Sequence, residues 1–140
     1  MHTLTSRDGT KIAYTRDGSG PSVVLVGGGL DDGSENGSLI PALAEWFTVV
    51  NYARRGRDGS GDTPPHSLAR EIEDLTAVIG SAGGSAHLFG ASSGGALALE
   101  AAAAGVSALS IAVYDVPYSV TPDAVSAWQT YVVQLRDALA

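Results

Sequence analysis

Short runs of apolar, often β-branched residues recur along the chain, and each is separated from the next by a segment of helical period. They read SVVLV, FTVVNYA, SAHLFG and SALSIAVYD at residues 22–26, 47–53, 85–90 and 107–115. Continuous apolar runs of this length are typical of strands buried on both faces of a parallel sheet. The pattern therefore predicts four parallel strands joined by helical connections.

Residues 2–16 instead alternate between polar and apolar side chains. HTLTS and TKIAYTR flank the tripeptide Arg7-Asp8-Gly9, and an Asp-Gly pair supplies the positive φ angles that a tight turn requires. This segment predicts an antiparallel hairpin at the start of the fold.

Two helices are predicted in the first half of the chain. Residues 38–47 have helical period, with Pro41 tolerated only in the first turn. The second helix begins after Ser67, which serves as its N-cap, and ends at Gly80. Its apolar stripe consists of Leu68, Ile72, Leu75 and Ile79.

Two further helices are predicted in the second half. Residues 94–105 are apolar on nearly all sides, which predicts burial against the sheet, and Gly105 ends this helix. The last helix has Thr121 as its N-cap and Pro122 at its first position, and it runs to the last residue. An a/d stripe lies along it, formed by Val125, Trp128, Val132, Leu135 and Leu139.

Strands that alternate with helices after a hairpin predict an α/β fold in three layers, with helices on both faces of a mostly parallel sheet. We expect residues 1–118 to form the core. Residues 119–140 are expected to form an amphipathic helix that mediates assembly. Ligands of such sheets bind beyond the carboxyl ends of the strands, where the glycine-rich turns of this chain fall.

Composition argues against several classes of function. A net charge of −7 does not suit binding to a phosphate backbone, so we expect no nucleic-acid partner. The chain has no cysteine, and its three histidines lack the spacing of metal ligands, so we expect no metal site. Neither an apolar leader nor a window of about eighteen apolar residues occurs, so we expect a cytoplasmic protein without a membrane partner.

One serine between glycines is the candidate nucleophile. Residues 90–94 read GASSG, a G-x-S-x-G that follows a predicted strand and opens a predicted helix. Such a turn holds the hydroxyl of Ser92 away from the backbone, and the glycines remove Cβ atoms that would clash there. The alternative is a turn of small residues that serves only tight packing of strand and helix.

Nucleophilic attack on an acyl group also needs backbone N–H groups that bind the developing oxyanion. The residue after the nucleophile, Ser93, supplies one of them. Gly28 or Gly29, after the strand at 22–26, supplies the other, because glycine lets the backbone approach a ligand closely. A flexible turn without this function is the alternative for the glycine run.

Other motifs give weaker evidence of function. GGGLDDG does not match G-x-G-x-x-G, and no P-loop sequence occurs, so we expect no nucleotide cofactor. A basic cluster after the strand at 47–53 could hold an anion, although nearby acidic residues favour a solvated loop that is paired internally. Its members are Arg54, Arg55 and Arg57, and the acidic residues are Asp58 and Asp62.

Together, the hairpin, SVVLVGGG, FTVVNYARRGRDGSGD, SAHLFGASSGGALALEAAAAG and LSIAVYDVPY resemble the first half of an α/β-hydrolase fold, in particular bacterial esterase-like members. The resemblance covers about residues 3–118, and it implies that the helix at 119–140 is alternatively the start of a lid over the active site. It implies that the triad follows in the order serine, acid, histidine. Gly27-Gly28 stands where many members have His-Gly. This difference leaves the predicted oxyanion loop, at residues 27–29, less firmly positioned.

The resemblance implies Asp115, at the end of the last predicted strand, as the triad acid; a turn-forming carboxylate is the alternative. No histidine follows His87, and neither His66 nor His87 stands where the family has its base. The resemblance therefore implies a serine hydrolase that acts on a carboxylic ester or related acyl substrate and whose catalytic histidine lies outside residues 1–140. The alternative is a non-catalytic, truncated module that oligomerises or binds a ligand.

The predicted strand at 107–115 and the last helix both present apolar surface that needs a cover. We expect either a second copy of this chain or a complementing C-terminal half to supply it. A homodimer is the simplest form of this expectation.

Overall fold

A computed structural model describes residues 1–139. It contains one six-stranded sheet with the order β1-β2-β4-β3-β5-β6. The strands are β1 (His2–Thr5), β2 (Lys11–Asp17), β3 (Ser22–Val26), β4 (Thr48–Tyr52), β5 (Ala86–Ala91) and β6 (Ala108–Tyr114). β1 and β2 pair antiparallel, as does β2 with β4, whereas β4, β3, β5 and β6 are parallel to one another. The hairpin and the four parallel strands predicted from the sequence are confirmed.

Helices cover both faces of this sheet, so the three-layer α/β prediction is also confirmed. They are α1 (Ile40–Leu43), α2 (Leu68–Ser81), α3 (Ser93–Ala103) and α4 (Pro122–Leu139). α2 and α3 pack on the face that carries Val24 and Val26, and α1 packs on the opposite face with Val23 and Leu25. Both faces of β3 are buried for this reason.

The helix predicted at 38–47 is shorter in the structure. A 3-10 turn at Glu35–Ser38 leads into α1, which ends at Leu43 with Pro41 in its first turn. The chain must then turn into β4 at Thr48, and Trp46 is left exposed in that turn. Helical period alone did not show where the turn begins.

The later helices follow the sequence more closely. The Ser67 side chain accepts a hydrogen bond from the Arg70 backbone N–H at 3.3 Å, and the Thr121 hydroxyl accepts one from that of Ala124 at 3.3 Å. Gly80 lies inside α2 instead of ending it, and Leu68 is exposed. The predicted end of the last helix at Ala140 lies outside the described residues.

β6 and α4 have the most exposed apolar surface of the described chain. β6 pairs only with β5 among residues 1–139, and Tyr114 is 70% exposed. α4 has no buried residue, and Trp128 is 59% exposed. Within residues 1–139, no helix combines the length and hydropathy that a membrane crossing requires.

Candidate active site

Ser92 lies in a sharp turn between β5 and α3. Its backbone has φ 50° and ψ −126°, a conformation that residues with a side chain rarely adopt. The residue is exposed, and its backbone N–H donates to the carbonyl of Tyr114 at 2.9 Å. The turn therefore presents the Ser92 side chain at the carboxyl edge of the sheet.

Two glycines make this turn possible. A Cβ on Gly90 would stand 2.6 Å from the carbonyl oxygen of Gly94, and a Cβ on Gly94 would stand 2.5 Å from that of Gly27. Both separations are far below van der Waals contact. The structure thus gives a steric reason for both glycines of the G-x-S-x-G.

An open cavity of about 540 Å³ lies in front of Ser92 and is lined by the loop that follows β3. Gly28 and Gly29 form its wall nearest to the serine. The backbone N–H groups of Gly29 and Ser93 have no hydrogen-bond acceptor within residues 1–139. They are the two unoccupied donors at the predicted oxyanion site.

The third predicted donor is occupied. The backbone N–H of Gly28 donates to Oε2 of Glu35 at 3.2 Å. A Cβ on Gly28 would stand 3.1 Å from this oxygen and 3.5 Å from the Cβ of Ser92, and Glu35 and Ser92 line the same cavity. The sequence motif gave no indication of Glu35.

The mouth of the cavity is acidic. Asp31 and Asp32 line it together with Glu35, and hydrogen bonding from Ser34 lowers the pKa of Asp32. Asp31 Oδ1 accepts from the backbone N–H groups of Gly33 and Glu35 at 2.8 and 2.9 Å. These carboxylates thereby hold the loop in its turn conformation.

The basic cluster is not the solvated, internally paired loop that the sequence favoured. Arg54 and Arg55 are 9% and 3% exposed. Each pairs with a carboxylate on α2, and Arg55 also pairs with Asp8 in the hairpin turn, at 3.1 Å. Arg54 pairs with both carboxylate oxygens of Glu71, at 2.5 and 2.8 Å, and Arg55 pairs with those of Asp74, at 2.7 and 2.8 Å. Hydrogen bonds to Asp74 raise the pKa of Arg55 above its ordinary value.

Two of these arginines also contact the glycine loop at residues 27–29, which is the predicted oxyanion loop. Arg54 Nη1 donates to the carbonyl of Gly27 at 3.2 Å and to the Ser93 hydroxyl at 3.0 Å. Arg57 Nη1 donates to the carbonyl of Gly28 at 2.6 Å. The two arginines therefore fix the loop through its backbone carbonyls, although it lacks the His-Gly of many family members.

His66 and His87 have partners other than Ser92. His66 Nε2 is 3.5 Å from Glu71 Oε1, and His87 Nδ1 is 2.8 Å from the hydroxyl of Ser110 on β6. Neither is hydrogen-bonded to Ser92. Asp115 follows β6 with φ 51° and is exposed; it has no hydrogen-bond or ion-pair partner among the described side chains.

The nucleophile-type turn, its glycines and the parallel sheet agree with the result of sequence comparison. Residues 23–139 match the model of the α/β-hydrolase family. The chain belongs to the α/β-hydrolase family. The match begins in β3 and extends through α4, so it includes both loops of the candidate site.

Proteins similar to this α/β-hydrolase chain include one of known structure. An α/β-hydrolase from Sphaerobacter thermophilus DSM 20745 is 47% identical, with a TM-score of 0.84 over 96% of this chain and 55% of its own. The uncharacterized hydrolase YraK of Bacillus subtilis (strain 168) is 34% identical over an alignment of 102 positions that covers 66% of this chain and 35% of YraK. Pyrrolizixenacetamide deacetylase of Xenorhabdus hominickii is 35% identical over an alignment of 99 positions that covers 66% of this chain and 36% of that enzyme.

The α/β-hydrolase chain thus spans about a third of the length of these two curated relatives and about half of the Sphaerobacter structure. Residues 1–139 contain the turn at Ser92, between β5 and α3, and the glycine loop that follows β3. The catalytic histidine that the family order implies is not among the described contacts of Ser92.

Proposed function

We propose that this chain carries the nucleophile and oxyanion portion of a serine hydrolase that acts on a carboxylic ester or related acyl compound. The observation that carries the proposal is the left-handed backbone of Ser92 between β5 and α3, with φ 50°. A residue with a side chain is held in such a conformation only when the surrounding structure enforces it, and such strain is concentrated at active sites. The steric fit of Gly90 and Gly94 enforces it here.

In the proposed reaction, the Ser92 hydroxyl attacks the acyl carbon and the carbonyl oxygen becomes an oxyanion. The N–H groups of Gly29 and Ser93 bind that oxyanion, because both are unoccupied and lie beside the nucleophile. The Gly28 N–H becomes a third donor when Glu35 leaves it. A base takes the proton of Ser92 and gives it to the leaving alcohol or amine as the bond between the acyl carbon and that group breaks. Water then hydrolyses the acyl-enzyme, which releases the acid and restores the Ser92 hydroxyl.

Asp115 is the proposed triad acid, since it follows β6 next to the nucleophile strand and its carboxylate is not engaged by other described side chains. The proposed base is a histidine outside residues 1–140, because His66 and His87 have other partners. Asp115 would orient that histidine.

The similarity to the deacetylase, at 35% identity, supports an acyl substrate, and the similarity to the Sphaerobacter α/β-hydrolase, at 47%, supports a hydrolase. The acyl class rests on the serine nucleophile.

A fluorophosphonate probe, which phosphonylates activated serines, tests the proposal. Imidazole is added as an external base, since no described histidine is hydrogen-bonded to Ser92. We expect labelling of the folded chain, acceleration by imidazole, and no labelling of Ser92→Ala. Ser19→Ala, at an exposed serine in the turn before β3, is the matched control and should be labelled like wild type. A folded wild-type chain that is not labelled with imidazole present contradicts the proposal.

A non-catalytic binding module is the second candidate, favoured by the Glu35 carboxylate that already occupies the Gly28 N–H. The same experiment separates the two functions, because a module without an activated Ser92 is not labelled. For either function, we propose that a second copy of the chain covers β6 and α4, whose apolar side chains are exposed.

A further inference from the structure

We infer that Arg57, assisted by Arg54, is a positioning residue that turns the backbone N–H groups of the oxyanion loop toward the substrate. This inference rests on the proposed function, since it concerns the oxyanion donors of that site. It assigns a role to two arginines that the sequence favoured as part of a solvated loop.

The argument begins with the carbonyl of Gly28. Arg57 Nη1 donates to it at 2.6 Å, and Arg54 Nη1 lies 3.4 Å from the same oxygen. A peptide unit is planar, and in the trans form its C=O and N–H point in opposite directions. Fixing the Gly28 carbonyl toward the arginines therefore directs the N–H of Gly29 away from them, toward the cavity that Gly29 lines.

The peptide unit between Gly27 and Gly28 has the same geometry, and the structure contains the acceptor of its N–H group. Arg54 Nη1 holds the carbonyl of Gly27 at 3.2 Å. The N–H of the same peptide unit, that of Gly28, points to the other side and donates to Glu35, a residue that lines the cavity. Two successive peptide units thus present carbonyls to guanidinium groups and N–H groups to the cavity.

Arg54 also links this loop to the other half of the oxyanion site. The same Nη1 atom that holds Gly27 donates to the hydroxyl of Ser93, whose backbone N–H is the second donor. Arg54 is itself fixed by two hydrogen bonds to the buried Glu71. One guanidinium therefore sets the separation between the two backbone segments that bind the oxyanion.

The positive charge of the arginines also strengthens the N–H donors of the loop. A cation hydrogen-bonded to a carbonyl polarises the peptide unit and strengthens the donor at its other end. Glycine has no side chain to restrict its backbone, so an unrestrained Gly27-Gly28-Gly29 segment would sample many orientations. The arginines restrict a loop that its own sequence leaves free.

Arg57 is the residue to change, because it is half-buried and outside the Arg54–Glu71 pair. Arg57→Met removes the donor while it keeps much of the side-chain volume, and Arg57→Lys restores the charge with a single donor group. Arg16→Met, at an exposed arginine on β2, is the matched control. The ¹⁵N order parameters of the Gly28 and Gly29 amides report on the loop without any need for activity.

We expect order parameters of about 0.85 for both amides in the wild-type chain and in Arg16→Met, and values below about 0.6 in Arg57→Met. Arg57→Lys should lie between them. Unchanged order parameters in a folded Arg57→Met chain overturn the inference. If Arg57→Met does not fold, the comparison between Arg57→Lys and wild type decides in the same way.

Labelling of Ser92 by the fluorophosphonate then tests the consequence for the reaction. We expect the rate to fall about tenfold or more in Arg57→Met, since loss of a whole donor costs about 10² to 10³, and to recover partly in Arg57→Lys. A loop that loosens without any fall in rate overturns the positioning role. A wild-type chain that is not labelled contradicts the proposed function instead, and the order parameters still decide whether Arg57 holds the loop.

Discussion

Oε2 of Glu35 lies 3.2 Å from the backbone nitrogen of Gly28. A carboxylate oxygen thus occupies a position at which an oxyanion would bind, and Ser92 lies beside it. The anion that the site is proposed to stabilise during acylation must compete with an anion that the chain itself supplies.

Replacing Glu35 by alanine should therefore speed the labelling of Ser92. A hydrogen bond to a charged group contributes about 1.5 kcal/mol, so its release should raise the rate by up to about tenfold. The second-order rate constant with the fluorophosphonate measures this effect. Glu45→Ala, at an exposed glutamate after α1, should leave the rate unchanged. A slower reaction of Glu35→Ala would show that Glu35 helps the nucleophile instead of competing with its substrate.

Gly94→Ala should destabilise the fold. Its Cβ would stand 2.5 Å from the carbonyl oxygen of Gly27, and both partners are backbone segments that cannot move independently. We expect the free energy of unfolding to fall by about 3 kcal/mol, at the upper end for overpacked sites. Gly80→Ala is the matched control, because the site in α2 is open and alanine favours helix, which should add up to about 1 kcal/mol. Urea unfolding measures both, and equal effects of the two variants would contradict the steric explanation.

The hairpin turn carries a pH-dependent contact. Hydrogen bonding from Thr10 and an ion pair with Arg55 lower the pKa of Asp8 from 3.8 to about 2. Because the pKa is lower in the folded chain, the carboxylate stabilises the fold above about pH 4, and this contribution is lost as the pH falls toward 2.

Asp8→Asn should accordingly reduce the loss of stability between pH 4 and pH 2, the interval between those two pKa values. The urea midpoint measured at several pH values in this interval shows the effect. Asp17→Asn, at the exposed end of β2, should lose stability as the wild type does. An acid-induced decline of the same size in Asp8→Asn and wild type would refute the assignment.

His66 and His87 should not be needed for labelling. His66 is engaged with Glu71 and His87 with Ser110, so a double variant His66→Gln/His87→Gln should react with the probe at the wild-type rate, with and without imidazole. Mass spectrometry of the labelled protein gives the rate directly. A tenfold loss in the double variant that imidazole restores would identify one of these residues as the base.

Self-association through β6 and α4 is expected at micromolar concentration. Exposed apolar side chains on both elements, among them Val113 and Trp128, favour burial against a second copy. Light scattering should give twice the mass of 14.2 kDa, and Val113→Lys combined with Trp128→Ser should give the monomer mass. A wild-type chain that scatters as a monomer excludes the second copy and leaves a different chain as the cover.

The sheet was predictable because its strands are continuous apolar runs. Apolar runs that alternate with helical segments are compatible with few folds other than a parallel sheet covered by helices. β3, for example, is buried on both faces, as the SVVLV run implies. α1 was not predictable in length, because its end depends on where the chain must turn to reach β4. Tertiary geometry decided that boundary.

The turn at Ser92 was also predictable, because the residues that meet its steric requirements are close to one another in the sequence. The arginine contacts were not, because Arg54 and Glu71 are 17 positions apart and Arg55 and Asp74 are 19 apart. One signal was present: Glu71 and Asp74 lie on the same side of α2 as the buried Leu75 and Val78. Carboxylates on a buried helix face require cationic partners, and the three nearby arginines were available.

The backbone N–H of Ser92 donates to the carbonyl of Tyr114, the last residue of β6. The main chain of the proposed nucleophile is therefore anchored to the strand that is exposed at the edge of the described sheet. A chain that pairs with β6 fixes this carbonyl and, through one hydrogen bond, the backbone that holds the reacting hydroxyl. The reactivity of Ser92 then depends on protein concentration. Labelling rates measured over a dilution series therefore report both on self-association and on the reactivity of Ser92.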